Sequence, residues 1–202
     1  ALFPATYHAL EYVPGFLTIF MLGSGRPSAD HLLARVAGSP GTYYSRIDPI
    51  HAQARRLQNR LDPYTAYVPT ILRVGLGLTF VLLGFGQKLV DPGPGLAVVA
   101  KYNLTAVVPV DPGVWVVGAG LAEIAFGLAL ILGFFTRATA AGAFILFTLT
   151  LFGLPDDPVL AHITMFGLAS AVFTLGAGPF SIDDWLGRQS ADRPEGMPVS
   201  GD

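Results

Sequence analysis

The chain has 202 residues, 52% of them hydrophobic and 13% charged, whereas ordinary soluble domains carry about 25% charged residues. With no cysteine, disulfides, thiolate catalysis and cysteine-ligated metal or iron–sulfur centres are excluded within the chain. A net charge of −2 leaves no basic footprint for nucleic acid, and the composition points to a membrane.

Crossing the hydrocarbon core as a helix takes about 20 mostly apolar residues. Five segments meet that requirement, and their continuous apolar runs argue against a closed barrel. The first is Ala5–Leu22, interrupted by His8, Glu11 and Pro14. A basic linker, residues 23–68, follows with Arg26, Arg35, Arg46, Arg55, Arg56 and Arg60. Within it, Pro49–Leu61 places Ile50, Ala54, Leu57 and Leu61 at helical spacing beside arginines. That pattern predicts an amphipathic helix on the headgroups or a docking surface for a partner.

The remaining spans are Pro69–Leu89, Gly113–Phe135, Ala138–Leu154 and Pro158–Gly178. Asp111-Pro112 and Asp157-Pro158 read as helix starts, with Asp at the N-cap and Pro at the first helical position. Phe135-Thr136-Arg137 is a short connection, so the two spans it joins should be antiparallel neighbours. Polar residues 188–202 read as a disordered tail. The expected fold class is an all-α integral membrane protein: a four-helix unit over residues 69–187, preceded by one extra span.

Segment Leu22–Leu33 returns as Leu175–Leu186. Leu, Gly, Gly, Ser, Asp and Leu recur at 22, 23, 25, 28, 30 and 33 and at 175, 176, 178, 181, 183 and 186, a constant offset of 153. Lys and Arg placement puts the 23–68 loop and the C-terminus on the cytoplasmic side. Both copies then end on one side, which predicts a parallel duplication of four-helix units, with Ala5–Leu22 closing an upstream copy.

Glu123 is the sharpest candidate for chemistry. It sits mid-span in Gly118–Gly127, where a carboxylate costs several kcal/mol unless paired, protonated or wetted. It reads either as a proton-carrying or ligand-binding group, or as a buried acid that joins helices. Gly120 and Gly127 share its face, where another helix can approach. Two sets of partners are open. Arg73 lies near the inner end of its span, where snorkelling to the headgroups is the plainer reading. Gln87 and Lys88 lie about 21 Å away along the same helix, so one Glu cannot reach both ends. His162 is a candidate proton relay, haem ligand or quinone hydrogen-bond donor, or a core His satisfied by a carbonyl. His8 and Glu11 form a second polar pair, four dispersed His argue against zinc, and Asn103-Leu-Thr105 is a sequon.

Arg73–Gly84 followed by Gln87-Lys88-Leu89 and Asp91-Pro92 resembles the first helix of the DoxX family of small four-helix membrane proteins. Gly120-x-x-Glu123-x-x-x-Gly127 followed by Gly133–Arg137 resembles its second helix. His162 and Leu175-Gly-Ala-Gly-Pro179 resemble its last. The extra span and basic linker depart from that pattern and resemble the second half of a tandem form. The family is related to the DoxD-like subunit of thiosulfate:quinone oxidoreductase. The resemblance implies a membrane subunit of a quinone-linked redox assembly, with quinone as the candidate cofactor and catalysis in a partner or at a shared interface. A non-catalytic anchor of a larger complex is the alternative, and a small-solute or proton transporter the third reading. Expected partners are the lipid bilayer, other protein subunits or copies, and the upstream repeat; the expected location is the cell membrane.

Overall fold

The computed structural model describes residues 12–23, 53, 56–57, 59–154 and 159–191, with the backbone alone at 159–162 and 191. Among these residues 86% are helical and none lies in a strand. The helices are α1 (Tyr12–Leu22), α2 (Val68–Gly84), α3 (Gly93–Lys101), α4 (Pro112–Leu132), α5 (Thr136–Gly153), α6 (Val159–Leu175) and α7 (Ile182–Ala191). A 3-10 turn, Asp62–Tyr67, leads into α2, and a π-helical segment, Phe85–Val90, prolongs it.

Three helices among the described residues are long and apolar enough to cross a membrane: Asn59–Val90, which contains α2, then α4 and α5. Tyr12–Leu22 and Ile163–Leu175 are shorter apolar helices. The boundaries follow local chemistry. Asp111 starts α4, its Oδ1 accepting from the backbone N–H groups of Gly113 at 2.8 Å and Val114 at 3.4 Å. Gly133, at φ 67°, ends it, with Phe134 N–H donating to Ala129 O at 2.9 Å and Gly133 N–H to Leu130 O at 3.0 Å. This is the glycine stop that satisfies the last carbonyls of a helix.

The main contact is between antiparallel α2 and α4. A Cβ on Gly77 would lie 2.6 Å from Gly127 O, and one on Gly84 2.6 Å from Gly120 O. Both helices thus carry two glycines seven residues apart, two helical turns, and the pairs meet backbone to backbone. In lipid the tails are as apolar as leucine, so close van der Waals packing of small residues drives association. Beside this seam lies a core of Leu72, Leu76, Phe80, Leu130, Ala140, Phe147, Leu168 and Val172. Phe80 stacks on Phe147 at 5.2 Å between centroids.

The short α4–α5 turn makes these two helices antiparallel neighbours as expected, and the Phe126 ring fills the space over Gly142. Inside the loop between the first two long spans, α3 lies across the first turns of α4, Gly95 against Val116. α1 lies between α2 and α6, with Pro14 against Gly75 and Gly15 facing Leu168. α7 carries helix through Ala191, into the stretch read as tail. Most of Pro49–Leu61, and Asp157-Pro158, fall outside the described residues.

Candidate functional site

Glu123 and Lys88 form an ion pair. Lys88 Nζ donates to Glu123 Oε1 and Oε2, both at 2.7 Å, and the side chains keep 22% and 20% of their surface exposed. Three features build this contact. α4 places Glu123 about 16 Å from its first residue, near the middle of the helix, at 1.5 Å per residue. Helical side chains lean toward the N-terminus, so the carboxylate tilts to the level of Gly120. The Lys88 Cβ lies there, 2.9 Å from where a Gly120 Cβ would be. Any side chain at 120 would stand where Lys88 begins its path to Glu123.

The backbone around Lys88 is unusual. Phe85–Val90 is π-helical, and Gln87 and Lys88 both lie in it. A π-helical turn holds one more residue than an α-turn, which rotates the following side chains; such turns recur at functional sites. Here the segment directs Lys88 toward α4. The ammonium has three N–H groups and uses two on the carboxylate, so one can serve another acceptor.

Arg73 does not join this pair, nor does it snorkel to the headgroups as the plainer sequence reading expected. It is 1% exposed and points into the far end of the bundle. Nε donates to Ala177 O at 2.7 Å, Nη1 to Leu130 O at 3.0 Å and to Ile131 O, and Nη2 to Phe180 O at 2.6 Å and Pro179 O at 3.4 Å. The physical reason is local. α4 and α6 both end beside Arg73, and terminal carbonyls lack intrahelical donors. A planar, five-donor guanidinium satisfies several at once, which a lysine cannot do. Thr70 adds a bond from Oγ1 to Pro179 O at 2.6 Å.

Asp183 closes the same end. Its carboxylate accepts from Phe135 N–H at 2.9 Å and Thr136 N–H at 2.8 Å, capping α5 from a distant part of the chain. Its own N–H donates to Gly133 O at 3.0 Å. Ser181 Oγ accepts from Asp184 N–H at 3.1 Å and starts α7. Phe135 and Phe180, at φ 45° and 58°, hold left-handed conformations that bulky residues rarely adopt. Both sit directly on this network.

Thus Lys88 and Glu123 come together, Gln87 precedes Lys88 in the same π-helical segment, and Arg73 stands apart as the centre of a second polar cluster. His162 lies in the first turn of α6, at a position where only the backbone is described. His8 and Glu11 lie outside the described residues. Sequence reasoning missed Asp183 and Ser181 as working residues, although the repeat had marked both.

Neither a curated protein nor a solved structure matches the chain. A family model described as DoxX matches residues 68–163, from the first residue of α2 into α6, taking in Arg73, Lys88 and Glu123. On that match, residues 68–163 carry a DoxX domain.

Proposed function

We propose that this chain is a multi-pass membrane subunit of a quinone-linked redox assembly, and that Lys88 and Glu123 form its polar site. One observation carries the reading. A mid-span carboxylate meets an ammonium through two 2.7 Å contacts, in a π-helical segment, while both groups keep part of their surface open. A quinone headgroup offers carbonyl acceptors. The remaining Lys88 N–H and the Gln87 amide, both donors, suit that chemistry. A bound quinone would supply two-electron, two-proton chemistry, with electrons coming from a partner redox subunit. Lys88 would orient a carbonyl oxygen, and Glu123 would exchange a proton near it.

The test is quinone affinity and turnover in the purified complex carrying Glu123→Gln. A fall in both with the complex intact supports the site; unchanged values remove Glu123 from the mechanism. The paired state of the carboxylate favours a second reading, a non-catalytic anchor in which the pair joins α2 to α4. A large loss of thermal stability with activity intact would support the anchor.

Two further points of organisation belong to this proposal. The arginine distribution supports placing the Arg73–Asp183 end on the cytoplasmic side. The repeat supports a tandem form, in which α1 is the last helix of a second four-helix unit.

A further inference from the structure

The two copies of the repeated segment follow helices that end alike. Gly23, at φ 71°, closes α1 with its N–H on Ile19 O at 2.8 Å. Gly176, at φ 81°, closes α6 with its N–H on Val172 O at 2.9 Å. Donors and acceptors both match at the offset of 153 set by 176 against 23 and 172 against 19. Both helices end at the same end of the bundle: α1 contacts α2 and the 3-10 turn before it, and Gly178 lies against Pro69 and Thr70.

A third match concerns the contact between the helices. The closest atom to a Cβ on Gly15 is Leu168 Cδ2, at 4.0 Å. Residue 168 is the counterpart of residue 15 at that same offset of 153. A pure shift between two parallel helices turns equivalent residues the same way, so one of them faces away. Equivalent residues face each other only when a half-turn about an axis along the helices relates the two. That contact fits α1 and α6 as the two halves of a pseudo-two-fold arrangement, in which the other contacts would occur twice.

One member of the next contact is present. α1 sets Pro14 against Gly75 of α2 and buries Met21 on the same face. The counterparts on α6 are Gly167 and Thr174, both exposed, and a Cβ added at Gly167 would meet no atom within 4 Å. Large residues such as Leu121, Leu128, Ile145 and Leu149 are exposed on α4 and α5, where Gly118 is open as well. Small residues on a membrane helix suit another helix better than lipid.

We infer that the Gly167–Thr174 face of α6 receives the α2 counterpart of a second four-helix unit, the unit that α1 closes. The inference rests on the tandem reading above and adds where the two units meet. Its product is an eight-helix body with a pseudo-two-fold axis between α1 and α6.

The chain has no cysteine, so Gly167→Cys and Thr174→Cys can be placed singly in the full-length polypeptide, with cysteines outside this chain replaced. Each is coupled to a benzophenone maleimide, photolysed in lipid nanodiscs and mapped by peptide mass spectrometry, with Leu149→Cys as the lipid-facing control. Both positions sit in open space, so the variants should fold. The expected result is adducts on a second-unit helix from 167 and 174, and lipid adducts alone from 149. Peptide mapping of a full-length polypeptide without a second unit would defeat the tandem reading and the inference with it. A second unit that is present, with only lipid adducts or adducts on another polypeptide at 167 and 174, would defeat this contact alone.

Discussion

Replacing Arg73 with Met should loosen one whole end of the bundle. Arg73 is buried and donates to five carbonyls, on Leu130, Ile131, Ala177, Pro179 and Phe180. Leu130 O keeps a second donor, the N–H of Gly133 at 3.0 Å, and the Pro179 contact is long at 3.4 Å. The carbonyls of Ile131, Ala177 and Phe180 lose the guanidinium outright. Each part-buried acceptor left without its donor costs about 1 kcal/mol, which gives about 3 kcal/mol in total. Arg73→Lys keeps the charge but not the fork, so it should recover less than half of that loss. Equilibrium unfolding by SDS in mixed micelles, followed by circular dichroism, measures both variants against the native chain. A loss below about 1 kcal/mol for Arg73→Met, or full recovery by Lys, would refute the claim that directed hydrogen bonds hold this end.

Three other outcomes follow from named contacts. Lys88→Met should cost about 2–3 kcal/mol by leaving the Glu123 carboxylate unpaired, less than a fully buried pair because one-fifth of each side chain is exposed. Lys88→Met with Glu123→Gln should be more stable than the sum of the single losses by at least about 1 kcal/mol; strict additivity in a double-mutant cycle would deny the pair. Gly127→Val should disrupt the α2–α4 seam, since even its Cβ would lie 2.5 Å from Gly77 O, whereas Gly118→Ala, in open space, should be neutral or slightly stabilising. Equal melting temperatures for these two glycine variants would contradict the seam. Asp183→Ala removes the cap on Phe135 and Thr136 and should cost about 1–2 kcal/mol, read as a fall in unfolding midpoint.

Much of the fold was legible because membrane helices announce themselves by length and by their ends. Asp111-Pro112 marks the start of α4 to the residue, whereas the helix ends at Leu132, before the expected Phe135, because Gly133 stops it. Gly120 and Gly127 were visible as a face, but their pairing with Gly77 and Gly84 depends on which two helices meet, and sequence spacing does not carry that. For Glu123 the sequence left two sets of partners open, Arg73 or Gln87 and Lys88, and the contact that forms is with Lys88. The choice of Lys88 came from two directional effects, the N-terminal lean of side chains in α4 and the π-turn that redirects Lys88.

Arg73 escaped the sequence reading for a different reason. Snorkelling is the default for a cation near a helix end, and it loses here because several unpaired carbonyls converge on the same spot. Those carbonyls come from residues 130–131 and 177–180, far from residue 73 in the chain. Asp183 could have been found. The repeat singled out Ser and Asp in register, and short polar residues kept after an apolar helix are natural caps for distant helix ends.

Whether Lys88 and Glu123 hold a quinone headgroup is decided most directly by photoaffinity labelling of the intact membrane complex with an azidoquinone. If they do, adducts fall within Phe85–Val90 and on the α4 turn around Glu123, are displaced by excess quinone and are weakened by Lys88→Met. Adducts confined to other helices or to partner subunits, with no change in the Lys88→Met complex, would contradict that assignment.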